Sequence, residues 1–483
     1  MRRVRYRKSG VKVALAYPST YSVAMSSAVY HVLYFKLQDE GFYVERFTAD
    51  RGPRGVEEGT PLSHFDYVVA TVHYELDYIN LAKLLIEGGV EPWARARERP
   101  KVVVGGPPVT ANPEPLADLA DLIVLGELEA VWDKVVQYLA TGDRVEGAGM
   151  YYPADGPYEV AVAYAKDVEE ADYRRLPEPE AAFSLSVELA RGCPFSCLFC
   201  MESYITKPYR PRRWEKALEE AELLYKRYGV RPSLVALTAN AHPGFKQLLY
   251  EAIRRGVPLS LPSLRAELLD DESLELVAKL GQKTLTIAPE TSERLRKALG
   301  KEMSDADVLK VAKRAGELGM KLKMYLMVGL PCEREEDLEA VKALVKEAAR
   351  YARVYLSVNP FIPKPQTPLQ YHPMEELQAL EEKIESIREV HRGEFSSYDP
   401  RLAAIQAAIA LGGRDVSRHI VEAAASDRPL AYWRRLLKAG ALSYVFRHRE
   451  EPLPWSHVKG FYAAEELRQR YRRYVEVACG SVS

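Results

Sequence analysis

Apolar and polar positions alternate along this chain in two successive series, each switching between a strand-like and a helical period. In the first 145 residues the strand-like runs are VKVALAY (11–17), FYVERF (42–47), DYVVAT (66–71), KVVVGG (101–106) and DLIVLG (121–126). Helical stretches separate them, which predicts parallel strands with crossover helices and a doubly wound, Rossmann-like domain over 1–145. Residues 146–182 carry Pro, Gly and Asp with little pattern and predict a connector. A second series then begins, with strands expected at 184–190, 234–239, 258–264, 283–288, 321–328 and 353–358. Helical runs such as WEKALEEAELLYKRYG and SDADVLKVAKRAGELG lie between them, so 183–373 predicts six beta-alpha units. That pattern suits an open (β/α)6 partial TIM barrel, whose chemistry sits at the C-terminal strand ends. From 374 to 483 the pattern is mainly helical.

Composition is permissive: 483 residues, 47% hydrophobic and 28% charged, with a net charge of -1 that argues against a surface built to coat nucleic acid. Basic clusters remain at Arg2, Arg3, Arg5, Arg7 and Lys8, at Lys207, Arg210, Arg212 and Arg213, and at Arg468, Arg470, Arg472 and Arg473. Solvated faces and helix ends account for such clusters most simply. No apolar run is long enough for a spanning helix. Asparagine occurs only at Asn80, Asn112, Asn240 and Asn359, a scarcity expected of a thermophile. All four follow predicted strands, where α/β proteins build sites and where Asn also suits turns.

Cysteine usage narrows the chemistry. Five cysteines are too few for a disulfide framework, and no leader-like segment precedes the first strand, so a reducing, cytoplasmic location is expected. Three of the five stand in RGCPFSCLFC as Cys193, Cys197 and Cys200, spaced C-x₃-C-x₂-C in the loop after the first barrel strand. Zinc would need a fourth ligand from far along the chain, whereas a [4Fe-4S] cluster can use three thiolates and keep one iron open. Three merely buried cysteines are the plain alternative. Cys332 and Cys479 are expected to lie outside the cluster, Cys332 as a buried thiol or a hydrogen donor near the barrel mouth. By their place at strand ends, Thr238, Asn240, Ser263, Arg265, Glu290, Tyr325, Asn359 and Phe361 are the candidates for holding a cofactor there. Gly105 and Gly106, directly after a strand, would let backbone approach a ligand closely, or simply make a tight turn.

The cysteine spacing, with Phe199 before the last Cys, resembles that of radical S-adenosylmethionine (SAM) enzymes. The stretches YPSTYSVAMS, HYELDYINL, GGPPVTANPEPLADLADLIVLGE, LPSLRAE, TIAPET, MVGLP and NPFIPKPQTP extend the likeness over about residues 11–372 to a poorly characterised branch with an N-terminal cobalamin-binding-type domain. The resemblance implies a [4Fe-4S] cluster on Cys193, Cys197 and Cys200, SAM at the open iron, a 5'-deoxyadenosyl radical, and a ferredoxin- or flavodoxin-type one-electron reductant. It implies methylation or other modification of an unactivated carbon in an unknown substrate. Cobalamin would lie between sheet edge and barrel mouth, near Thr71, His73, Gly105 and Gly106 at its nucleotide tail and near Tyr21, Ser22, Val23 and Glu75 at the corrin.

This sequence departs from the pattern three times, once at Cys332, where relatives tend to have a small or polar residue. LTANAHPG stands where a Gly-Gly-Glu is usual, leaving Thr238 or Asn240 to meet the methionine amine. The D-x-H-x-x-G motif is missing, and His31 comes too late to ligate cobalt. A methylthiotransferase resembles this chain less, because residues 1–192 hold no cysteine for a second cluster. A non-catalytic cluster-bearing protein is the remaining class.

Overall fold

The computed structural model describes residues 10–169 and 185–480, in two compact units. Residues 10–169, 408–442 and 450–463 form the first, and 185–407, 443–449 and 464–480 the second. The stretch from 374 onward, expected as one helical region, is thus shared between the two. The N-terminal basic cluster lies outside the described residues.

The first unit is built on a six-stranded sheet. Its strands are β1 (Lys12–Tyr17), β2 (Tyr43–Thr48), β3 (Tyr67–Thr71), β4 (Lys101–Gly105), β5 (Leu122–Val124) and β6 (Met150–Tyr151), in the order β2-β1-β3-β4-β5-β6. β1 to β5 pair in parallel, as their apolar runs predict, with helices such as Ala28–Asp39 and Asp77–Glu87 between them, and Leu128–Thr141 leads from β5 to β6. Consecutive residues Val102, Val103 and Val104 are all at most 1% exposed, because both faces of the sheet are covered. The expected connector is partly structured. β6 pairs antiparallel with β5, and β7 (Val160–Ala161) pairs with Val458–Lys459. Asn112 clamps the late segment to this unit, its Nδ2 donating to the Ala410 and Gly412 carbonyls at 2.9 Å each.

The second unit carries the expected open barrel, with differences in detail. β8 (Leu185–Glu188) is followed by β9 (Ala190–Arg191) and, antiparallel to it, β10 (Arg210–Pro211). β11 (Pro232–Val235) runs parallel to β8. The predicted third strand at 258–264 appears only as single bridges from Ser260 to Ser233 and from Leu264 to Ile287. Pro258 and Pro262 have no amide proton to donate, which interrupts a ladder there. β12 (Thr284–Glu290), β13 (Lys321–Val328), β14 (Val354–Pro360) and β15 (Glu394–Ser397) then form a parallel sheet in that order. β15, in a stretch expected to be helical, is an added parallel strand.

Candidate active site

The cysteine loop is closed at its base. Gly192, at φ +77°, has no room for a Cβ, which would stand 2.6 Å from the Thr206 carbonyl oxygen and 2.8 Å from that of Pro208. The β9–β10 ladder ties the two ends of the loop together. Inside it, the Lys207 ammonium donates to the carbonyls of Cys193 at 2.5 Å and Phe195 at 3.2 Å. The Cys200 amide donates to the Cys197 carbonyl at 3.0 Å, folding the second half of the motif into a turn. Cys193 and Cys197 are buried, Cys200 is half-buried, and all three are free thiols. Burial raises the Cys197 thiol while the Lys301 and Arg265 cations oppose it, and burial pushes the Cys200 thiol up to about 12.

Residues from the following strand ends meet this loop. The Thr238 hydroxyl lies 3.5 Å from Cys193 Sγ, and Arg265 Nη1 lies 3.7 Å from Cys197 Sγ. The Arg265 guanidinium covers the Phe195 ring at 3.8 Å from its centroid and bonds Glu267 through Nε. Its Nη2 is buried with no hydrogen-bond partner. Asn240 engages both ends of its amide with one residue, donating to the Arg265 carbonyl at 2.8 Å and accepting from the Arg265 amide at 3.1 Å. It therefore acts as a clamp between two strand-end loops.

Glu290 ends β12 in the left-handed region, at φ +66°, and pairs with Lys301 at 2.9 Å. Ser263, Tyr325 and Asn359 are half-buried. Phe361 is 1% exposed in a core with Leu295, Leu369 and Tyr474, and Phe199 packs against the same core. These two phenylalanines are thus packed in protein and anchor the C-terminal helix Ala464–Cys479.

Several residues differ from the sequence expectation. Lys207 and Arg212, read there as part of a solvated cluster, are 8% and 1% exposed. Arg212 pairs with Glu220 through both terminal nitrogens, at 3.1 and 3.0 Å, and donates to the Glu188 carbonyl at 2.7 Å. Lys301 was not singled out at all, and no local pattern marks it. Cys332 is not a free thiol. It is joined to Cys479, 147 residues away, with the Cα atoms 5.1 Å apart.

At the C-terminal edge of the first unit's sheet, the Thr71 hydroxyl meets His73 Nε2 at 3.0 Å, and the His73 ring stacks on Tyr17 at 5.1 Å. Glu75 is buried, and burial raises the nearby Asp77 carboxyl to about 7, with a hydrogen bond from Asn80 opposing and the Glu75 charge adding. Tyr21 lies under the Arg51 guanidinium at 4.6 Å. Ser22 is close to the Thr20 hydroxyl at 3.3 Å, and Val23 is left 48% exposed. Gly106, at φ +133°, makes its close approach to protein: a Cβ would stand 1.8 Å from the Val72 carbonyl oxygen. At Gly105 a Cβ would make only ordinary contact with Val124, the nearest atom 3.6 Å away. His31 is buried in its helix, its Nε2 2.8 Å from the Met25 carbonyl.

Residues 187–345 match the radical SAM superfamily, and residues 44–148 match the family described as radical SAM proteins, N-terminal. An uncharacterised protein of Methanocaldococcus jannaschii is 29% identical over 428 residues, covering 84% of this chain and 90% of that one. An uncharacterised methyltransferase of Pyrococcus horikoshii is 26% identical over 51% of this chain, which spans 58% of that protein's length. Among solved structures, the radical SAM methyltransferase TsrM from Kitasatospora setae, with cobalamin and a [4Fe-4S] cluster bound, superposes with a TM-score of 0.60. It is 15% identical and covers 89% of this chain and 99% of its own. The chain is accordingly a radical SAM enzyme whose barrel follows an N-terminal domain of the kind found in that superfamily.

Proposed function

We propose that this enzyme transfers a methyl group to an unactivated carbon, or otherwise modifies one, with a [4Fe-4S] cluster on Cys193, Cys197 and Cys200, SAM at the cluster's open iron, and cobalamin at the N-terminal sheet edge. The observation that carries the reading is the meeting of a closed three-cysteine loop with the buried Arg265 cation at the C-terminal end of the barrel strands. Reductive one-electron cleavage of SAM is the chemistry such a cluster supplies when bound.

The donor set suits that group. Three thiols share one loop, and among the described residues no three His, Cys, Asp or Glu side chains converge on a single ion. A four-iron cube places its thiolates on separate irons, further apart than the ligands of one metal. Lys207 holds the loop backbone in shape from within, and Arg265 and Lys301 supply positive charge beside Cys197. The unpartnered Arg265 Nη2 is a donor ready for an anionic group at the mouth. Glu290, restrained by Lys301, stands where an ammonium or ribose hydroxyls would be met.

For the N-terminal domain, the exposed Val23, the His73–Tyr17 stack and buried Glu75 are the residues that would face a corrinoid. TsrM, of similar fold, carries cobalamin, which supports the assignment. With His31 held against Met25, cobalt would have no protein nitrogen from it. Anaerobic reconstitution tests the whole reading. Wild type should gain iron, sulfide and a broad visible absorbance, and take up cobalamin. The Cys193→Ala, Cys197→Ala, Cys200→Ala triple variant should lose the iron and all reductive SAM cleavage while keeping cobalamin. Iron retained by that variant overturns the cluster assignment.

A further inference from the structure

β13 has two unlike faces. Leu322, Met324, Leu326 and Val328 are at most 1% exposed, and helices such as Asp305–Glu317 pack on the strand. The alternate positions, Lys321, Lys323, Tyr325 and Met327, are only half-buried. β12 repeats the alternation, and in β14 Tyr355 and Asn359 are likewise half-buried. In a barrel the helices lie outside, so the half-buried positions line the concave side. Apart from Ala288 and from Met327, which packs against the Phe361 core, the half-buried positions of β12 and β13 carry polar side chains rather than branched apolar ones.

Charge on this face is compensated everywhere except at one point. Lys321 pairs with Glu394 at 3.0 Å, and Glu290 pairs with Lys301 at 2.9 Å. Below Glu290, β12, β13 and β14 carry no carboxylate. Lys323 has no carboxylate partner among the described residues. Its ammonium stands between two tyrosine rings, 4.8 Å from the centroids of both Tyr325 and Tyr355, and Tyr355 is fixed by its hydroxyl donating to Ser396 Oγ at 3.0 Å. The rings hold the cation in place and strip part of its water, which strengthens its attraction for an anion. Tyr325 and Asn359 add polar groups on the same face, Tyr325 beside Ser357 in register and Asn359 beside Met327.

We propose that the concave face binds an anionic group of the substrate, a carboxylate or phosphate, on the Lys323 ammonium between Tyr325 and Tyr355. The proposal rests on reading this barrel as the reaction chamber. Glu290 is in register with Leu326, three residues beyond Lys323, so the anion lies roughly 10 Å deeper than the mouth at 3.3 Å per residue. The substrate is therefore long enough to span that depth, with its reacting carbon at one end and its anionic group at the other.

Benzoate, phenyl phosphate and neutral benzamide test this on the full chain by ligand-observed NMR titration. The three share a ring that can lie against tyrosine. At least one of the anions should bind roughly tenfold or more tighter than benzamide, which is about 1.4 kcal/mol. The tighter of the two identifies carboxylate or phosphate as the source. Lys323→Met should bring anion affinity down to that of benzamide, and Lys323→Arg should keep it. Lys323→Gln replaces the Met variant if melting shows that one unfolded. Benzamide binding as well as both anions, neither anion binding, or unchanged anion affinity in a folded Lys323 variant without the charge would each overturn the proposal. Iron content of the same preparations separates the two readings. Anion binding kept in protein that never takes up iron would refute the cluster alone, and iron kept without anion selectivity would refute only the Lys323 site.

Discussion

The N-terminal sheet and the barrel are both mainly parallel, yet they use their faces differently. In β4 three successive valines are fully buried, so this sheet has no open face and can meet a ligand only at the loops along its C-terminal edge. In β13 burial alternates strictly, and the concave face carries Lys321, Lys323 and Tyr325 before Met327 closes onto the Phe361 core. The difference teaches where function can be placed. A sheet closed on both sides confines chemistry to strand ends, whereas an open barrel adds a lined interior beneath them.

Breaking the support of the cysteine loop should have the largest effect. Glu220→Ala removes the carboxylate that pairs with the buried Arg212 guanidinium, and removal of one partner from a buried pair costs about 3–5 kcal/mol. Denaturant melts should show that loss, and Glu220→Gln, which keeps a hydrogen-bond acceptor, should lose less.

The contrast between faces sharpens with neighbouring substitutions on one strand. Met324→Ala, on the helix-covered face, should cost about 2–5 kcal/mol. Lys323→Met, one residue away on the open face, should stay within about 1 kcal/mol. In β4, Val103→Ala and Val104→Ala should instead cost similar amounts, about 1.5–3 kcal/mol each. Equal losses at 323 and 324 in urea unfolding would remove the distinction between sheet and barrel.

The Cys332–Cys479 bond fastens the C-terminal helix beside the barrel mouth, where Tyr474 also donates to the Pro331 carbonyl at 2.6 Å. Cys479→Ser should lower stability by about 2–4 kcal/mol. Wild type treated with reductant should melt where that variant does, and the variant should ignore the reductant.

At the edge of the closed sheet the test is pH. Asp77 has its carboxyl raised to about 7 in the folded chain, against about 3.9 when unfolded. Its contribution to stability is complete below pH about 4, where both states are protonated, and is lost as pH rises to about 7 because only the unfolded state readily ionises. Asp77→Asn removes that dependence. The melting temperature of the variant relative to wild type should therefore climb between pH 4 and 8, by an amount that corresponds to a few kcal/mol at most. A constant difference would mean that Asp77 is ionised throughout.

The five N-terminal parallel strands and the cysteine loop after the first barrel strand were legible from sequence, because periodicity and short spacing are local properties. Asn240 and Glu290 were legible as strand-end residues, but their partners were not. Nothing near residue 240 announces the Arg265 backbone, and nothing near 290 announces Lys301. The 258–264 segment carried a strand-like run whose two prolines, also in the sequence, interrupt the ladder.

The amino-acid sequence by itself determined the class of fold, the order of its parts and the three clustered thiols, since each follows from side-chain period, turn chemistry or spacing within a few residues. Tertiary structure alone decided that Lys207 and Arg212 are buried, that Gly106 yields to the Val72 backbone, that Cys332 meets Cys479 across 147 residues, and that Lys323 is left without a carboxylate on an open face. The physical reason is the same in each case. Burial, charge compensation and cross-linking depend on which distant atoms arrive beside a residue, and only the packed chain sets that.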